Sequence, residues 1–118
     1  MCLKNLSSLL FLFLCGCSSV DNIVGFGVSF DRVISRECVT TTLSTAQDVV
    51  EFIEDKSSVR FVSQKYKVDF NYGTKESLIS GYEITIDGMF LGQSNATFIQ
   101  NSYGLQKRLH SLIEQGCY

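Results

Sequence analysis

The chain has 118 residues, 10 basic and 12 acidic, and contains no proline or tryptophan. That length allows one domain. A formal charge of −2, with both signs scattered along the sequence, argues against a basic surface that tracks phosphates, and so against nucleic acid as a partner. It also argues against a polybasic membrane patch.

The first 16 residues do not read as part of the domain. Lys4 is their only charge, and residues 9–14 form an unbroken apolar run, Leu-Leu-Phe-Leu-Phe-Leu. A positive start followed by a short apolar stretch is the layout of a secretory signal. The run is far shorter than the roughly 20 residues a membrane-spanning helix needs. It ends in Leu14-Cys15-Gly16-Cys17. This tetrad resembles the lipobox of bacterial lipoproteins, with Cys15 in place of the more usual Ala or Ser. The resemblance implies cleavage before Cys17, lipidation of the Cys17 sulfur and acylation (palmitate) of the new amino terminus. Several acyl chains hold stably where one holds marginally, since each buried CH₂ contributes about 0.8 kcal/mol. Ser18 follows the cysteine. The lack of Asp at that position implies sorting to the outer membrane, on its periplasmic face. The expected organisation is a signal peptide over 1–16, a tether over 17–29 and one globular domain over 30–118.

Cys2 and Cys15 leave with the signal, and lipid occupies Cys17. Cys38 and Cys117 remain. An exported compartment permits disulfides, so a Cys38–Cys117 bridge is expected. The alternative is two independent buried thiols. Two cysteines without paired spacing make a poor metal site.

Asp31 is a candidate helix cap, and Val33, Ile34 and Cys38 follow it at helical spacing. The β-branched run Val39-Thr40-Thr41-Thr42 weakens a helix there. One bent helix over 31–55 and a helix to about Leu43 with a strand over 49–54 both fit the pattern. Residues 59–62 read as a short strand. Tyr66, Val68, Phe70 and Tyr72 alternate with polar residues, as a half-buried strand does. The change of parity between Phe61 and Tyr66 calls for a bulge or turn near Ser63-Gln64. Residues 73–80 read as a loop. Tyr82, Ile84 and Ile86 alternate again and lead into Asp87-Gly88, a hairpin signal that would pair Ile86 with Met89 and Ile84 with Leu91. Asn101 is a candidate cap for a last helix over 102–115. Leu105, Leu109, Leu112 and Ile113 form its apolar stripe, and Gly116 stands at its expected end. The expected fold class is α+β: an antiparallel β-meander packed on one face by an N-terminal and a C-terminal helix.

Groups for catalysis are sparse. His110 is the only histidine and falls at the edge of the last helix's stripe. Glu51, Glu54 and Asp55 read as a solvated acidic patch. No phosphate-loop pattern is present. No catalytic residue, cofactor or metal is expected, and the chain does not read as an enzyme. Tyr66, Phe70, Tyr72, Tyr82 and Phe90 suffice for a core and for an exposed binding strip. The function expected is a lipid-anchored envelope protein that binds another envelope protein or assists assembly. The alternative is a periplasmic inhibitor or ligand-binding lipoprotein that uses the loop over 73–80.

Overall fold

A computed structural model describes residues 22–118 apart from 64, 90 and 91. The signal, the lipobox with Cys17, Phe90 and Leu91 lie outside the described residues. The fold is α+β, with one five-stranded antiparallel sheet and two helices. In chain order the elements are β1 (Ile23–Ser35), α1 (Arg36–Ser44), β2 (Val49–Glu54), β3 (Ser58–Ser63), β4 (Tyr66–Asn71), β5 (Leu78–Asp87) and α2 (Asn95–Cys117). The sheet order is β1-β5-β4-β3-β2. Strands β2 to β5 form a meander, and β1 adds to its far side. The chain therefore passes through α1 from one sheet edge to the other.

Alternation explains the sheet. Val68 and Phe70 on β4 and Tyr82, Ile84 and Ile86 on β5 are all buried, while their polar neighbours face outward. An aromatic chain runs diagonally across all five strands. Its ring centroids are 6.1 Å apart for Phe52–Phe61, 6.0 Å for Phe61–Phe70, 4.6 Å for Phe70–Tyr82 and 5.7 Å for Tyr82–Phe30. Both helices cover this face. Thr40 of α1 hydrogen-bonds the Tyr72 hydroxyl at 2.9 Å, and Phe98 of α2 stacks on Tyr66. Leu105, Leu109 and Ile113 are buried, so the stripe read from sequence is the docked face of α2.

Several expectations are corrected. The domain does not open with a helix as expected, because a strand comes first. Residues 23–29, assigned to the tether, pair along β5 from Ile23↔Asp87 to Ser29↔Gly81. Residues 31–35, assigned to a helix, extend that strand. The first helix begins at Arg36, and the Ser35 hydroxyl caps it by accepting from the Cys38 amide at 3.1 Å. Of the two readings for residues 44–55, the strand holds. The parity change after Phe61 is a turn, since Ser63 pairs directly with Tyr66.

The Asp87-Gly88 hairpin does not form. Ile84 pairs with Phe26 on one side and Phe70 on the other, and Ile86 pairs with Val24 and Val68. Both edges of β5 are taken, so no strand returns along it. The chain turns away instead. The Gly88 amide donates to the Asn22 carbonyl at 2.7 Å, and Met89 carries the positive φ of 47°. Helix α2 starts earlier than expected, with Ser94 as its cap accepting from the Thr97 amide at 3.2 Å. It also runs through Gly116 to Cys117.

Candidate interaction surface

Cys38 on α1 and Cys117 at the end of α2 form a disulfide with Cα atoms 5.9 Å apart. The helices touch closely beside it. A Cβ on Gly116 would lie 3.0 Å from the Thr42 hydroxyl, which accounts for glycine inside the last helical turn. The bridge fastens two elements and offers no free thiol.

His110 is half-buried, at the rim of a polar cluster around the buried Tyr82 hydroxyl. Gln106 Nε2 donates to the Tyr82 hydroxyl oxygen at 3.2 Å. The Tyr82 hydroxyl proton is then available to His110 Nδ1, 3.0 Å away. His110 Nε2 lies 3.7 Å from the Glu114 carboxylate, and its ring stacks on Phe30. Tyr82 is only 3% exposed, and burial pushes its phenol up to about 12. The Tyr82 phenol is therefore protonated and closed off from solvent. The cluster locks α2 onto β5 and β1.

The other sequence candidates lie apart from it. Glu51, Glu54 and Asp55 are exposed, and no group of three metal-ligating side chains is found among the described residues. The loop before β5 is short and pinned. Arg36 donates to the Lys75 and Glu76 carbonyls, and Asn71 accepts from the Gly73 amide at 2.8 Å. Tyr66, Phe70, Tyr72 and Tyr82 are core residues, so they form no exposed strip. An open groove of about 520 Å³ between the α1–β2 turn and α2 is spanned by the Arg108–Asp48 ion pair at 2.8 Å. Its two charges satisfy each other.

The surface that stands out was not singled out from sequence: the outer edge of β1. Among the described residues no strand pairs with it. Residues 23–30, Ile-Val-Gly-Phe-Gly-Val-Ser-Phe, carry no charge and no proline. Their register with β5 is regular until a shift after Ser29. Val24, Phe26 and Val28 face the helix layer and are half-buried. Phe26 packs against Tyr103 of α2 at 5.9 Å, and Tyr103 is itself 50% exposed. Ile99, one turn earlier on the same side of α2, is also exposed. A flat, apolar edge with its backbone groups unpaired is a template for strand addition.

Gly25 and Gly27 alternate on the opposite face of this edge. Neither has a positive φ. A Cβ on Gly25 would meet only ordinary contact at 3.7 Å, and one on Gly27 would meet nothing within 4 Å. Gly81 across the ladder differs, because a Cβ there would run into the Val28 carbonyl. The fold needs Gly81; it does not need Gly25 or Gly27. Glycine inside a strand weakens it, and often marks the approach of another backbone. The signal that would have found this edge was present in the sequence, in its missing charges and its glycine spacing. No described helix is long and apolar enough to cross a membrane. Comparison with family models, with curated proteins and with solved structures gives no match, so function has to be argued from the chain's own geometry.

Proposed function

We propose that this chain is a small bacterial envelope protein, held on the outer membrane by lipid at Cys17, that acts as a non-enzymatic binding or assembly accessory. The observation that carries the binding role is the open β1 edge, uncharged over residues 23–30, with its apolar rim of Phe26 and Tyr103. The lipobox-like tetrad ending in Cys17 supports the anchor, and the Cys38–Cys117 disulfide suits an oxidising compartment.

Feeding a clickable palmitate analogue to the producing bacterium tests the anchor. The expected result is labelling of the chain, lost together with membrane association in Cys17→Ser. An unlabelled chain in the soluble fraction overturns it. A photoreactive residue tests the surface. At Val24 it should cross-link a protein partner in intact cells, and at Val50 on the opposite edge it should not. Equal yields at both positions would remove β1 as the binding edge.

A further inference from the structure

The middle of the open edge is a palindrome: Val24-Gly25-Phe26-Gly27-Val28. Resting on the reading of β1 as a binding edge, we infer that its occupant is a second copy of the same chain. The two β1 strands pair antiparallel about a two-fold axis through Phe26. Two five-stranded sheets then join into one continuous sheet.

The geometry of antiparallel pairing supports this occupant. Residues directly opposite each other must point to the same face of the sheet. For two copies of one regular strand, that condition restricts the registers to those centred on a residue. Centring on Phe26 sets Phe26 opposite Phe26, Val24 opposite Val28 and Gly25 opposite Gly27. Each residue type meets its own kind. The apolar side chains all fall on the helix side, where Phe26 already packs on Tyr103. The glycines all fall on the opposite side. Their lack of side chains, which the monomer's fold does not require, leaves that side of the joint unobstructed. No charge within residues 23–30 would be forced against its own copy. The regular register ends after Ser29, and Asp31 and Arg32 lie beyond it. A C2 contact of this kind is isologous and closes at two copies.

Cysteine scanning on the purified full-length chain in detergent, under a mild oxidant, tests the pairing and its register. Gly25→Cys and Gly27→Cys both fit the monomer without strain. Directly opposite residues lie within disulfide reach, whereas residues offset by two along the strand are about 7–8 Å apart. The expected result is an intermolecular disulfide when the two variants are mixed, and little in either variant alone. Cross-linking of Gly25→Cys with itself, or of Gly27→Cys with itself, would place the axis elsewhere and overturn the register. Sedimentation should show a concentration-dependent dimer that is lost in Val28→Lys and kept in Val50→Lys. A monomer at every concentration, or a dimer unaffected by Val28→Lys in a variant that retains its circular dichroism, overturns the second copy as occupant. Neither outcome touches the Cys17 anchor or the capture of a different envelope protein, which palmitate labelling and photo-cross-linking read separately.

Discussion

The two edges of the sheet are built in opposite ways. Strand β2 is six residues long, and its register with β3 slips between Val49 and Glu51. Val50, at the slip, is 74% exposed. Glu51 and Glu54 add charge along the strand. A short edge, a bulge and like charges are the standard ways of preventing a sheet from pairing with a stranger. Strand β1 is 13 residues long, regular over residues 23–29, and uncharged there. The same chain blunts one edge and leaves residues 23–29 of the other regular and uncharged. That difference supports the proposed surface, because a protein that already manages one edge does not need the other left exposed for folding alone.

The largest effect is expected in the helix layer that both edges share. Leu109 is fully buried between α2 and the sheet. Leu109→Ala should cost about 2–5 kcal/mol and lower the melting temperature, loosening β1 and β2 together. Its neighbour Arg108 is exposed and pairs with Asp48 at the surface, so Arg108→Ala should cost at most about 1 kcal/mol. Similar small losses at both positions would mean that α2 is not docked by this stripe.

The disulfide comes next and is asymmetric. It ties the helix that directly follows β1 to the end of α2, across a sequence separation of 79. Breaking it with Cys38→Ser and Cys117→Ser should cost about 4 kcal/mol in the chain-entropy model, read as a lower denaturant midpoint. An unchanged midpoint would mean that the helix contacts alone hold that end.

Tyr82 sharpens the β1 side further. Tyr82→Phe removes the hydroxyl that Gln106 and His110 share and should cost about 1–2 kcal/mol. The pH dependence has a definite sign. Burial pushes the Tyr72 and Tyr82 phenols up to about 12, above the ordinary 10. The folded protein therefore holds these protons where the unfolded chain has released them. Their stabilisation is complete below pH 10 and falls as pH rises toward 12. Alkaline melting curves should show that decline, with a shallower slope in Tyr82→Phe.

The smallest effect bears most closely on the edge itself. Gly25→Ala and Gly27→Ala should each stabilise the monomer by about 0.5–1 kcal/mol, because neither site needs glycine. Destabilisation at both positions, measured by denaturant melts at low concentration, would mean that the monomer does need them.

The middle of the fold was legible in the sequence because β4 and β5 are half-buried strands with clean alternation. The Cys38–Cys117 pair was legible by elimination. Strand β1 was hidden by the helix that follows it. The strand runs straight into α1, so Ile34 at the end of the strand and Cys38 in the helix lie four apart and imitate one helix. The start of α2 was hidden because Asn95 and Thr97 are polar, Ala96 is small, and its first buried residues are Phe98 and Ser102, too few to draw a stripe. The hairpin failed for a topological reason that local sequence does not carry: β1 returns to occupy the edge that the hairpin needed. The candidate surface was legible in part: its missing charges and glycine spacing stand in the sequence, but they mark an edge only once the strand order is known.

Hydrogen–deuterium exchange at low and high protein concentration tests the difference between the two edges most directly. The expected result is that amides in residues 24–28 gain protection as concentration rises, while those in residues 50–54 exchange at the same rate throughout. Protection gained equally at both edges, or at β2 alone, would contradict an open β1 and a blunted β2.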